Sequence, residues 1–389
     1  MVRSRRKRKA QDKNKRFQRR DDIDWLRGLC ILLLFPFNAA VIFDFWGTFF
    51  VKNTETSQVL SYFIALVQYW FMPLLFWLSG AASWYSLGVR NSSEYMRERF
   101  IRLLVPFVFG VCIIVPPMGY LSCIGEQGYF QGYIQFLTGF FTNFSNLSGY
   151  NGTFTPAHLW FIFYLFIFSI ITLPLFMCIR KSNEILVLKI ESFADIHWVL
   201  IFMFIPLGLM SLLPGPSGKN PFYFIFIYIL GYIIASNDKL QNCIDKIRFK
   251  AFIFLIIYVP VCLWFILGNE YFSTLRIFSI VEVFMVSLAT WLTLIVIIGY
   301  AHKYLNFKHP FLSYINEAGL PLYIIHQTIL VYIGFYIVRL PMGVYTKFII
   351  ITILTLLISA AFYKYIINKV PIIRFLFGLK AIKRVNKGR

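Results

Sequence analysis

Three polar side chains stand inside apolar stretches long enough to cross a bilayer, where an ionisable or amide group costs several kcal/mol unless it faces protein or water. Arg27 and Asn38 lie in the stretch 24–46, and His326 lies in 318–337. Eleven residues separate Arg27 from Asn38, which on a helix is about three turns, so both point the same way about 16 Å apart. Asp24 precedes Arg27 by three residues and shares its side of the helix. An asparagine here either bonds to a neighbouring helix or belongs to a site. Asp24 and Arg27 either form a pair that reaches the interface or present a guanidinium fork, which suits phosphate and carbonyl oxygens better than a lysine does. Arg99 and Arg102 form an RxxR pair whose i, i+3 spacing lets both reach one anion, with Glu98 as the competing partner of Arg102. His326, between Tyr323 and Gln327, is either a hydrogen-bonded helix histidine or a proton acceptor. Asp44 and Trp46 close the far end of the first stretch, and His158 and Trp160 open another.

These residues need membrane helices to position them. The 389 residues are 59% hydrophobic, 20% aromatic and 14% charged, with a mean hydropathy of +0.68, outside the range of soluble globular domains. Apolar stretches at 24–46, 57–84, 101–118, 159–179, 197–213, 220–235, 251–268, 278–300, 318–337 and 346–367 predict an all-α polytopic membrane protein with about ten spans. The net charge of +21 does not imply nucleic acid: eleven of the first twenty residues are Lys or Arg, but the block abuts the first span and lacks interleaved aromatics. With a second basic cluster at Lys380–Arg389, it predicts both termini on the cytoplasmic side, touching anionic lipid. Arg90, Arg97, Arg99 and Arg102, then Arg180, Lys181 and Lys189, then Lys239, Lys246, Arg248 and Lys250, then Lys303 and Lys308 fall in loops assigned inside, while 119–157, assigned outside, has no Lys or Arg. This alternation suits ten spans. Within that outer loop, 129–142 is aromatic and weakly amphipathic and reads as a helix at the outer interface. Six cysteines without CxxC spacing give no disulfide framework and no metal site. The first apolar stretch exceeds a signal-peptide h-region and reads as an anchor. No repeat or phosphate loop interrupts a domain of 21–370, flanked by basic cytoplasmic tails at 1–20 and 371–389, with no separate soluble domain.

The segment RDDIDWLRGLCILLLFPFNAAVIFDFW (Arg20–Trp46) resembles the opening signature of the membrane-bound acyltransferase-3 family, in which an Arg is followed eleven residues later by a His. Leu78–Gly80, Arg97–Phe107, His158–Leu165 and Leu320–Gln327 match further family-like segments in the expected order, so the resemblance covers essentially the whole chain. It implies a ten-helix enzyme around a central polar cavity that moves an acyl group from cytoplasmic acyl-CoA, acetyl-CoA or succinyl-CoA, to a hydroxyl of an extracytoplasmic glycan. Plasma-membrane location follows from that role, with membrane lipids, acyl-CoA and the glycan as partners and no nucleic acid. Nothing in the sequence indicates an oligomeric state.

The resemblance places the catalytic His of the family at Asn38, a departure with chemical consequences. An amide has no titratable lone pair near neutral pH, whereas imidazole takes and returns a proton. Asn38 can instead donate to a developing oxyanion, with His326 as a stand-in base and Arg27 orienting the site. Arg99, Arg102 and Asp24 are implied at the acyl-CoA head. Asp44, about 9 Å beyond Asn38 along the helix, Trp46, His158, Trp160 and Tyr323 are implied at the acceptor. Trp160 suits stacking on a sugar face, although an interfacial aromatic belt also explains it. The alternative is a non-catalytic member that binds or exports a glycan or lipid-linked sugar. An ion-coupled transporter would show mid-membrane acidic pairs and inverted repeats, which the sequence lacks.

Overall fold

A computed structural model describes residues 20–127, 132–145, 147–181, 196–268 and 276–380, and every regular element among them is helical. The expected tails therefore lie largely outside the described residues, as do Lys189 and the first residues of 129–142. The helices are α1 (Asp21–Val41), α2 (Gln58–Val89), α3 (Ser92–Gly125), α4 (Tyr133–Thr142), α5 (Ala157–Ile171), α6 (Leu173–Lys181), α7 (His197–Ser211), α8 (Pro221–Ser236), α9 (Asp238–Gly268), α10 (Arg276–Tyr304), α11 (Pro310–Ile337), α12 (Val344–Phe362) and α13 (Pro371–Leu376).

Seven of these, α1, α2, α3, α9, α10, α11 and α12, are long and apolar enough to cross a membrane, against the ten spans expected. An eighth exists if α5 and α6, bent by 48° at Thr172, act together. At that break the Thr172 hydroxyl donates back to Phe168 O at 2.7 Å and Pro174 enters the next helix, both of which bend a helix. The remaining two expected spans correspond to α7 and α8, apolar but only 10–17 residues long. Hydropathy sees total apolar length; the break and the short helices are set by local backbone bonding. Prolines within α1, α2, α9 and α11 are tolerated where neighbouring groups satisfy the freed carbonyls. α3 departs most from regularity: π turns at Phe100–Leu104 and Gly110–Ile114 interrupt it.

The chain divides into two compact units, the first made of Met1–Arg27, Tyr69–Arg97 and Phe168–His309. Within it α9 pairs along α10, and α7 packs on α8 and α10. The C-terminal part of α2 crosses α8 at two glycines: a Cβ on Gly80 would lie 1.9 Å from Tyr228 O, and one on Gly231 2.2 Å from Trp77 O. Small residues permit this backbone approach, and van der Waals contact then replaces the hydrophobic drive that lipid removes. Tyr228 Oη joins Ser83 Oγ at 2.7 Å and Tyr95 Oη at 3.3 Å in a buried hydroxyl cluster. Near its start, Arg20 holds Asp22 and donates to Gln241 Oε1 at 3.1 Å. Burial opposes the Arg20 charge, but hydrogen bonding and attraction to Asp22 prevail and raise its pKa.

The second unit contains Gly28–Gln68, Glu98–Ile167 and Pro310–Arg389. α11 is its core, with half of its 28 residues buried, and packs against α12 and α3. Arg374 of α13 donates to Glu317 Oε1 at 2.9 Å, to Lys380 O at 2.9 Å and to Asn368, and Phe377 and Leu379 are buried. The described part of the segment expected as a tail, 371–380, is thus folded onto this unit.

Candidate active site

Asn38 lies on α1, four residues after Leu34 and two after Pro36. Its Nδ2 donates to Leu34 O at 3.0 Å and meets His326 Nε2 at 3.2 Å. A carbonyl can only accept, so the bond to Leu34 fixes the amide with its NH₂ toward His326. His326 Nδ1 lies 2.7 Å from Tyr323 O, and the same logic puts the ring proton on Nδ1. Nε2 then carries the lone pair and accepts from Asn38. His326 is fully buried, and Phe35 packs against it with ring centroids 5.9 Å apart.

A second histidine joins this pair. The His158 ring lies edge-on to His326 at 5.1 Å and to Tyr323 at 5.4 Å. His158 Nε2 donates to Ile324 O at 3.0 Å, and the Tyr323 hydroxyl donates to His158 O. The residue before it, Ala157, has φ of 44°, the one non-glycine with positive φ among the described residues. An L-residue there costs about 1–2 kcal/mol, so the surroundings must hold it. Thr155 Oγ1 accepts from Ala157 N at 2.9 Å, and Leu159 N donates to Pro156 O at 3.0 Å. Leu159 in turn fills the place of a side chain at Gly110, whose Cβ would come within 2.4 Å of it. That glycine opens the second π turn of α3, and Thr328 Oγ1 of α11 satisfies Ile114 O in the same turn at 2.8 Å. π turns recur at functional sites because they re-aim one helix face.

The structure therefore brings Asn38, His158, Tyr323 and His326 together, and the other expected residues make contacts of their own. Arg27, one-third exposed, belongs to the first unit and pairs with Asp24 at 3.2 Å. Arg102 pairs with Glu98 at 3.4 Å, and Arg99 precedes the π turn at Phe100, which alters the angular offset expected of an i, i+3 pair. Asp44 is buried and accepts from Gly47 N at 2.9 Å and Trp46 N at 3.4 Å, closing a turn, while Trp46 is half exposed. Lys52 caps the end of α1 through Val41 O at 3.2 Å and Asp44 O at 2.5 Å; burial pushes its ammonium pKa down, against the pull of Asp44. Half-buried Trp160 packs edge-on to Tyr164 at 5.2 Å. Sequence reasoning missed Ala157 and the π turns; Gly110 and Thr328 carried no signal beyond their small or polar type.

No solved structure matches the chain. A family model described as an acyltransferase domain matches residues 20–364. Glucans biosynthesis protein C of Escherichia coli O1:K1 / APEC is 23% identical over 393 residues, covering 95% of this chain and 97% of that protein. The proteins of the same name from Shigella dysenteriae serotype 1 (strain Sd197) and Escherichia coli (strain K12 / DH10B) match with the same identity and coverage. With a match over nearly its whole length and with membrane-length helices in the matched region, this chain belongs to the acyltransferase-3 family.

Proposed function

We propose that this protein is a plasma-membrane O-acyltransferase that moves an acetyl or succinyl group from cytoplasmic acyl-CoA to a hydroxyl of an extracytoplasmic glycan, with both termini cytoplasmic. The observation that carries this reading is the 3.2 Å contact between Asn38 Nδ2 and the lone-pair nitrogen of buried His326. Asn38 holds the position at which the family places its histidine, and His326 supplies an imidazole beside it. The acceptor hydroxyl replaces Asn38 at Nε2 and gives its proton to His326. Its oxygen adds to the thioester carbonyl, and the resulting oxyanion takes the N–H that Asn38 has released. Collapse breaks the C–S bond, and the departing thiolate recovers the proton from His326. Arg99 and Arg102, with Arg27 and Asp24, are assigned to the acyl-CoA phosphates; Trp46 and Trp160, with Asp44, are assigned to the acceptor. The name of the glucan relatives supports a glycan acceptor.

The test is transfer from labelled acetyl-CoA to glucan by the purified protein in vesicles. His326→Gln should lose about 10²–10⁴-fold in rate, the usual worth of a general base; full activity in that variant would refute the assignment. A second reading, a non-catalytic member that binds or exports a glycan, is favoured by one observation: Asn38 occupies the only acceptor atom of the His326 ring and cannot itself titrate. Asn38→His separates the two. Transfer appearing or rising in that variant marks an impaired enzyme, whereas absence of acyl-CoA binding in both forms favours the binder.

A further inference from the structure

We infer that His158 and Tyr323 are positioning residues for His326: together they hold the backbone that anchors its Nδ1–H and so support the ring orientation that Asn38 meets. The inference rests on the reading of His326 as the base and replaces an acceptor-binding role for these two side chains. Both are committed to each other's neighbourhood. His158 Nε2 holds Ile324 O at 3.0 Å, and the Tyr323 hydroxyl holds His158 O, so two crossing bonds clamp the α5 start to the turn of α11 that contains residues 323 and 324. The carbonyl of Tyr323, one peptide from the one that His158 grips, accepts from His326 Nδ1 at 2.7 Å, alongside a second backbone bond to Leu322. If that carbonyl swings away, only the Leu322 backbone and the Asn38 N–H at Nε2 still favour the proton on Nδ1, and the lone pair faces Asn38 less exclusively.

The strained turn is what sets the clamp. Ala157, buried with φ of 44°, aims His158 back at α11; a glycine would adopt the same backbone freely but would also leave it freely. Thr155 and the Leu159–Gly110 contact hold the turn from either side. A structural turn has no need of a non-glycine residue in this region, whereas a device that must hold a ring within hydrogen-bond tolerance gains from stiffness.

The experiment uses ¹⁵N-histidine-labelled full-length protein in lipid nanodiscs, with the His326 signals, among five histidines, assigned by their loss in His326→Gln. Wild type should show one neutral tautomer, Nδ1–H; Tyr323→Phe and Ala157→Gly should show a mixture of both. In glucan acetylation, both variants should lose about tenfold in kcat, the scale of modest misorientation, with KM for acetyl-CoA unchanged. The melting temperature of Ala157→Gly should stay level or rise, which a purely structural role would not combine with lost turnover. An unmixed tautomer in both variants, a KM rise at constant kcat, or full kcat alongside a mixed tautomer overturns the inference. If wild type transfers no acetyl group, the functional reading fails and the tautomer measurement alone decides this one.

Discussion

Replacing Asn38 with alanine removes two donated hydrogen bonds, and the structure assigns them unequal weight. Leu34 O also belongs to the backbone ladder of α1, so losing the side-chain bond at 3.0 Å should cost only about 0.5 kcal/mol. His326 Nε2 is different. The ring is fully buried, its other nitrogen is already engaged, and an acceptor stranded in such a place costs about 1–3 kcal/mol. Asn38→Ala should therefore destabilise by about 2 kcal/mol. Attribution to the pair needs a double-mutant cycle, since His326→Ala adds a cavity penalty that the single variants cannot separate. Polar pairs between membrane helices average about 0.6 kcal/mol and reach about 1.7. A buried, singly partnered imidazole belongs in the upper half of that range, so the coupling should be about 1 kcal/mol. Equilibrium unfolding of wild type, Asn38→Ala, His326→Ala and the double variant in bicelles supplies the four free energies. A coupling below about 0.3 kcal/mol would mean that the two side chains do not meet, and the active-site geometry would fall with it.

Gly80→Val and Gly231→Val place side chains against backbone that a Cβ alone would approach to 1.9 and 2.2 Å; each should cost more than about 3 kcal/mol or abolish folding, read by thermal unfolding and by yield of monodisperse protein. Gly378→Ala combines φ of 71° with a Cβ 2.9 Å from Arg102 O, so hydrogen exchange over 371–380 should accelerate at least tenfold, about 1.4 kcal/mol, with protection elsewhere intact. Glu317→Gln should cost under about 1 kcal/mol, because that carboxylate is half exposed, whereas Arg374→Ala, which strips bonds to Asn368 and Lys380 as well, should cost about 2–4 kcal/mol by the same unfolding assay. Lys52 has a folded pKa below its unfolded value of 10.5; between those two values the unfolded chain binds more protons, so melting temperature should rise with pH in that window, and the rise should vanish in Lys52→Met.

Composition and hydropathy determined by themselves that this chain is helical and belongs in a membrane, because apolar length and charge placement are properties of consecutive residues. They also singled out Asn38 and His326, since a polar group in an apolar run is visible without coordinates, while the family-like segments His158–Leu165 and Leu320–Gln327 supplied His158 and Tyr323. What they could not determine was partnership. Asn38 and His326 are 288 positions apart, and nothing local in either helix says that they meet. Helical periodicity put Asp24 and Arg27 on one side of the helix, and of the two readings left open there the ion pair forms. The π turns of α3 and the left-handed backbone of Ala157 were likewise decided by tertiary packing. Each is a local backbone cost that no propensity favours, and it persists because contacts from distant parts of the chain repay it.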